Sequence, residues 1–195
     1  MSTFASADAL PSPLNYDGRP EMRAFWSGHL PHWDVLGRPI FLTLHVRGAI
    51  PSQAATRIRR QASDLREATD TDYTRRLKFI FAEMEKWLDR PGDDVPALSQ
   101  TELAAVLRDA IEERHNRGAW RVLHWIVMPS HLHLLYVAGR VGMKTLLADF
   151  KRWTGHRAAK TLGVDGRRFW QDEWFDHWSR SAGETDRIVS YIRQN

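Results

Sequence analysis

The chain contains no cysteine. Disulfides, thiolate metal sites and cysteine nucleophiles are excluded, and the composition suits a reducing compartment. No apolar run is long enough to span a membrane. The opening stretch, MSTFASADALPSPLNYDGRP, has neither a basic start nor an apolar segment, so it does not read as a secretory signal. Internal repeats and low-complexity blocks are also missing. These absences predict a cytoplasmic protein with no membrane partner.

What is present fits one domain. With 195 residues, 43% hydrophobic and 27% charged, the chain can bury a sizeable core. Nine tryptophans are many for this length. Core packing and base stacking are both uses for them, and composition does not separate the two. The net charge of +4 is unevenly spread: residues 1–118 carry −1 and residues 119–195 carry +5. Within 140–168, eight basic residues face only Asp149 and Asp165. Such a patch is the footprint of a polyanionic partner, although a solvated helix face gives the same pattern.

The order of predicted elements is strand, helical stretch, two strands, helix, strand, helix. Residues 1–36, rich in Pro, Gly, Ser and Asp, read as an irregular arm. A single domain then covers 37–195. At 38–48, Ile40, Leu42, Leu44 and Val46 alternate with Phe41, Thr43 and His45, which is a strand. Residues 53–116 read as a helical insertion. Its first part carries Tyr73, Leu77, Ile80, Phe81, Met84, Trp87 and Leu88 at helical spacing. A capping box at Ser99 and Glu102 then opens a helix whose inner face is Leu103, Val106, Leu107 and Ile111. WRVLHWIVM and HLHLLYVAG, joined by Pro129-Ser130, predict a hairpin over 120–139. A helix follows at 143–162, closed by Gly163. Residues 167–180 suggest a short strand with a loop, and Ser181 with Glu184 caps a final helix. The expected class is α+β, one antiparallel sheet with helices packed on it.

Two features carry chemistry. On a strand, His131 and His133 point to the same side, while Leu132 and Leu134 point to the other. Two imidazoles on one rigid strand are half a metal site. They are also what a half-buried strand with two solvent-side histidines looks like. In VSYIRQN, Tyr191 and Asn195 share a helix face at i and i+4. A tyrosine beside a helix core is equally explained by packing, and a terminal Asn by capping.

The stretches WIVMPSHLHLLYV, FWQDEWFDHWSR and IVSYIRQN occur in that order. Together they resemble the IS200-like single-tyrosine transposases, and within them the REP-associated tyrosine transposases. The resemblance is close over 120–195. It implies an HUH endonuclease of ferredoxin-like type, in which His131 and His133 with Asn195 hold Mg²⁺ or Mn²⁺ and Tyr191 is the nucleophile. The expected reaction is cleavage and transfer of single-stranded DNA through a 5′-phosphotyrosine. The expected partner is single-stranded or hairpin DNA, and the expected state a monomer or homodimer.

Lys144, Lys151, Arg152, Lys160, Arg167 and Arg168 are candidates for phosphate contacts, and Trp170 and Trp174 for stacking on unpaired bases. Some of the aromatic residues in this segment must be core, since Phe169 and Trp170 alternate. Ser130 stands where the family has Asn, a mild change in the turn. Members of the family continue past the asparagine with a proline and a further helix or tail; this sequence stops at Asn195. Two other readings stay open on the residues alone: a DNA-binding protein without cleavage, and a metal-dependent hydrolase using water.

Overall fold

The computed structural model describes residues 14, 16–67, 70–90, 92, 95, 98, 100–163 and 168–195. The alternating segment at 39–45 forms β3 (Pro39–His45), one of the two inner strands of a four-stranded sheet. Its partners are β4 (Trp120–Val127), β5 (His131–Ala138) and β6 (Phe175–Trp178), in the order β4-β5-β3-β6. Every pairing is antiparallel. In the β3–β5 register Leu42 faces Leu134 and Leu44 faces Leu132, while Thr43 faces His133 and His45 faces His131. Directly opposed residues share a face, so the leucines and the histidines are sorted onto opposite sides.

One side is covered by α3 (Thr101–Asn116) and α4 (Met143–Leu162). Ile40, Leu42, Leu44, Leu132, Leu134 and Tyr136 meet Leu103, Leu107, Ile111, Leu147 and Phe150 there. The other side is covered by α1 (Ser52–Ser63), α2 (Asp70–Leu88) and α5 (Ala182–Gln194). Phe41, Leu135 and Phe175 pack against Ile58, Leu77, Ile80, Met84, Leu88 and Ile192 on that side. The result is α+β, a sheet between two helical layers.

Chain order and strand order together give a β-α-β-β-α-β unit of ferredoxin-like type, running β3-α3-β4-β5-α4-β6. This narrows the helical insertion expected over 53–116. α3 is the first crossover helix of the unit and its leucines are core, so the added part is α1 and α2. Two glycines serve the frame. Gly163 closes α4 in the left-handed region at φ 66°, its N–H reaching the Ala159 carbonyl. At Gly139 a Cβ would lie 2.3 Å from the Gly118 carbonyl oxygen, so no larger residue fits.

The arm at 1–36 departs from expectation. Within it β1 (Met22–Ser27) and β2 (Pro31–Val35) form an antiparallel hairpin. Polar anchors far along the chain hold it in place. Arg23 donates to Asp34 through Nε at 2.9 Å and Nη2 at 3.0 Å, and Asp34 Oδ2 accepts the Met143 N–H at 2.9 Å. Buried His32 lies between Asp176 at 2.5 Å and Glu173 at 2.6 Å. Burial alone would lower the His32 pKa, but those two carboxylates raise it to about 9.

The capping boxes come out unequally. Ser99 lies outside the described residues, and the residue that caps α3 is Gln100, without a side-chain capping bond. Ser181 Oγ does accept the Glu184 N–H, at 3.2 Å, while the Glu184 carboxylate accepts from the Arg180 N–H at 2.7 Å. No helix among the described residues is long and apolar enough to cross a membrane.

A candidate metal and tyrosine site

The histidine pair sits at the start of β5, and both rings are fully buried. Burial excludes the picture of two solvent-side histidines. His131 Nε2 and His133 Nε2 approach each other to 3.0 Å. Each Nδ1 has a hydroxyl. Ser130 Oγ lies 3.0 Å from His131 Nδ1, and Thr43 Oγ1 lies 2.9 Å from His133 Nδ1.

One of these hydroxyls decides a tautomer and the other leaves a choice. Ser130 donates its proton to the Leu88 carbonyl at 2.6 Å, so it accepts from His131 Nδ1–H. The His131 Nε2 lone pair is therefore free to face inward. Thr43 is a rotor. When it donates to His133 Nδ1, His133 Nε2–H can donate to His131 Nε2. When it accepts instead, both Nε2 lone pairs converge on one point, an arrangement that needs a cation between them. Ser130 is thus more than a mild change in the turn, since it fixes the orientation of the first histidine and straps the turn to the end of α2. Leu98 adds a second strap, its N–H reaching the Pro129 carbonyl at 2.7 Å.

α2 brings Glu85 to the pair. Among the described residues, Glu85, His131 and His133 form a group whose ligand atoms lie within 4.8 Å of one another. Glu85 Oε2 is 3.4 Å from His133 Nε2 and accepts the Tyr191 hydroxyl proton in a short hydrogen bond. Glu85 Oε1 is buried with no hydrogen-bond partner among the described residues. Tyr191 comes from α5, its hydroxyl 3.3 Å from His133 Nε2. Phe41 and Phe81 pack edge-on against its ring, at 6.0 and 5.8 Å between centroids.

Burial favours the neutral form of His131, His45 and Tyr191. Burial, then the neighbouring His133 and His45, lowers the His131 pKa to about 2, so this ring is neutral. Burial chiefly lowers His45 to about 4. Neutral imidazole is the form that ligates metals. Burial raises Tyr191 above the usual phenol range, and the Glu85 carboxylate raises it further against a smaller downward pull from Asn195.

The residues singled out from the sequence fall into separate groups. His131, His133 and Tyr191 meet. Asn195 is exposed and turns its amide back onto its own helix, donating to the Tyr191 carbonyl at 3.2 Å. The atoms that meet the two histidines are those of Glu85, a departure from the ligand set that the resemblance implies. Trp170 is a core residue, 4% exposed, with Nε1 donating to Thr154 Oγ1 at 2.8 Å. It offers no face for stacking, which corrects its assignment to DNA contact.

The basic residues are similarly divided. Lys144 and Arg152 line a groove with Arg117 and Arg140 over α3 and α4, across the sheet from the histidines. Lys160 is exposed near the end of α4. Lys151 and Trp174 lie together at the loop before β6. Lys151 Nζ donates to the Asp172 carbonyl at 2.7 Å and sits 5.2 Å from the centre of the half-buried Trp174 ring. Burial lowers the Lys151 pKa to about 8. Arg168 is exposed and paired with Asp172 at 2.8 Å. Arg167 lies outside the described residues.

Sequence reasoning missed Glu85, and Thr43 and His45 as members of the site. Glu85 did carry a signal, since it stands directly after Met84 at the border of the apolar stripe of α2. For Thr43 and His45 the signal was a second polar pair at i and i+2, on a strand whose other face is aliphatic.

Fold and site together define an α+β protein with a His-His-Glu group, both histidines buried, set against a tyrosine hydroxyl. No protein-family model and no curated protein matches the chain. Among solved structures the chain is similar to a REP-associated tyrosine transposase described as bound to a REP hairpin, with 15% identity, a TM-score of 0.49, and coverage of 83% of this chain and 67% of that one.

Proposed function

We propose that this chain is a metal-dependent endonuclease and strand transferase for single-stranded DNA, of the REP-associated tyrosine transposase kind, acting on hairpin DNA through Tyr191. The observation that carries the reading is the convergence of His131 Nε2, His133 Nε2 and the Glu85 carboxylate beside the Tyr191 hydroxyl.

The residues fit a divalent cation. Two imidazoles held from behind by hydroxyls, plus one carboxylate, are a complete protein share of such a site. Imidazole donors favour Mn²⁺ over Mg²⁺, which prefers oxygen. When bound, the cation would neutralise charge on a phosphodiester oxygen. Glu85 Oε2 takes the Tyr191 proton. Tyr191 Oη then forms the bond to phosphorus, the bond from phosphorus to the 3′ oxygen breaks, and the leaving oxygen takes up a proton as a 3′-hydroxyl. The 5′-phosphate stays on Tyr191, conserved for rejoining. In this reading Lys151 of α4, with Arg168 and Trp174 from the segment before β6, holds the strand.

The test uses labelled single-stranded hairpin DNA with Mn²⁺. A covalent protein–DNA adduct on a denaturing gel is expected, and its loss in Tyr191→Phe. An adduct that persists in Tyr191→Phe removes the nucleophile from this scheme. Binding without adduct under Mn²⁺ and Mg²⁺ favours a DNA-binding protein, and cleavage without a covalent species favours water as nucleophile.

A further inference from the structure

α5 carries Tyr191, and its hold on the sheet is uneven. Between Glu184 and Tyr191 it borders a cleft of about 280 Å³. Phe41, Phe81 and Phe175 line this cleft from the sheet and α2, and Ile188 lines it from α5. Atoms that face a void lack partners on that side, so packing fixes the rotation of α5 weakly over this stretch. That rotation matters for the hydroxyl. An α-helix with its side chains is about 5–6 Å in radius, so turning it by about 10° carries a side-chain tip about 1 Å. Misplacing a reacting group by about 1 Å can cost about a hundredfold in rate.

A polar contact at the far end of the cleft resists the turn. His177 of β6 donates from Nε2 to Glu184 Oε1 at 2.9 Å. The other carboxylate oxygen accepts the Arg180 N–H at 2.7 Å. Burial alone would raise the Glu184 pKa, but the hydrogen bonds from His177 and the Arg180 N–H lower it to about 2, so the carboxylate is charged. Lys78 and Arg187 also line the cleft, both are exposed, and neither pairs with Glu184 among the described residues. Glu184 and Tyr191 are seven residues apart, close to two full turns, so they share one face of α5. His177 stands opposite Phe41 in the β3–β6 register, and the Phe41 ring stacks on that of His133 at 5.3 Å. The tyrosine face of α5 is thus tied to the row of side chains that leads to the histidine pair.

We infer that His177 is a positioning residue, which through Glu184 sets the rotation of α5 and so the place of the Tyr191 hydroxyl beside His133. For its effect on rate the inference rests on the DNA-cleaving reading. The helix itself has other anchors. Ser181 Oγ caps it, Thr185 Oγ1 bonds to Ser179 Oγ at 2.8 Å and to the Tyr16 hydroxyl at 2.6 Å, and Ile192 is buried. Loss of the His177 bond therefore leaves α5 folded and docked, with its tyrosine face less firmly aimed.

The test observes Tyr191 directly and then its chemistry. His177→Phe keeps a ring and deletes the donor, whereas His177→Gln supplies an amide N–H in its place. The chain is labelled with 3-fluorotyrosine, and the Tyr191 fluorine resonance is identified by its loss in Tyr191→Phe. That resonance is expected to shift in His177→Phe and to keep its wild-type position in His177→Gln. Adduct formation on saturating labelled hairpin DNA with Mn²⁺ should slow about tenfold or more in His177→Phe, with DNA and Mn²⁺ affinities held within about twofold. His177→Gln should return the rate to within about twofold of wild type. An unmoved resonance or an unchanged rate in His177→Phe overturns the assignment, as does a Gln variant that behaves like the Phe variant. A fall in Mn²⁺ affinity in step with the rate also overturns it, since the effect would then lie at the histidine pair. Should His177→Phe fail to fold, Glu184→Ala removes the same bond from the helix side and is read in the same way. If the wild type forms no adduct, the DNA-cleaving reading fails, and the fluorine resonance alone decides the role of His177.

Discussion

The two faces of the central sheet are built from neighbouring residues of the same strands, yet they do different work. Toward α3 and α4, β3 and β5 present Ile40, Leu42, Leu44, Leu132, Leu134 and Tyr136, closed by Trp120, Phe150 and Trp170. Toward α2 and α5 they present Phe41 and Leu135 at one end, and Thr43, His45, His131 and His133 at the other. The first face is apolar throughout and stabilises the fold by excluding water. The second keeps polar groups buried, and each of its histidines needs a named partner to make burial tolerable. One side is thus a hydrophobic core alone, while the other joins a hydrophobic core to a buried polar cluster.

Substitutions chosen by face can break this division. The largest effect is expected on the apolar side. Trp170→Ala removes a buried indole and leaves Thr154 Oγ1 without its donor, and should lower unfolding free energy by about 3–5 kcal/mol in denaturant titration. The adduct yield per folded molecule should hold. A matching loss of specific activity would show that the faces are coupled.

Next comes the polar seam between hairpin and sheet. His32 is protonated between Asp176 and Glu173, with its pKa raised to about 9 against an unfolded value of 6.5. Its folded value is the higher one, so its stabilisation is complete below pH 6.5 and disappears as pH climbs through 9. The loss should total about 3 kcal/mol. Thermal midpoints of the wild type should fall across that window, and those of His32→Gln should fall much less. A parallel decline in both proteins would remove His32 as the cause.

On the histidine face, Thr43→Val keeps shape and deletes the hydroxyl behind His133. Mn²⁺ affinity, read by calorimetry, should drop about 10–100-fold, as for other partners that orient a ligand from behind. Stability should change far less than for Trp170→Ala. Unchanged affinity would mean that the Thr43 rotor does not orient the ligand. The smallest effect belongs to the outer surface of α4. Arg152→Ala removes an exposed pair with Asp149 at 2.9 Å and should alter stability by no more than about 0.5 kcal/mol.

Most of the frame was legible in the sequence, for a local reason. The strand at 39–45, the hairpin over 120–138 and the helices at 143–162 and 182–194 each carry a period that any neighbour would reinforce. The β1–β2 hairpin was not legible. Met22 and Phe25 are half exposed, so the strand shows no clean alternation, and its anchors are Met143, Glu173 and Asp176, more than a hundred residues away.

His131 and His133 could be read as a pair because strand geometry fixes their direction. Glu85 could not, since its meaning comes from Tyr191, 106 residues distant. Trp170 was misread because an aromatic residue in a basic, loop-like segment suits both a core and a nucleic-acid surface. Its burial, with its indole N–H given to Thr154, decides for the core.

The alternation along β5 has a consequence for how such a protein can change over generations. Side chains on either face can be exchanged one at a time, because a substitution in the odd-numbered positions leaves the even-numbered ones where they were. Deleting or inserting a single residue between His131 and Leu135 is a different event. It would rotate everything beyond it by half a turn, drive an imidazole into the dry layer beneath α4 and hand a leucine to the tyrosine. Drift by replacement is therefore open to this strand, and drift in length is closed.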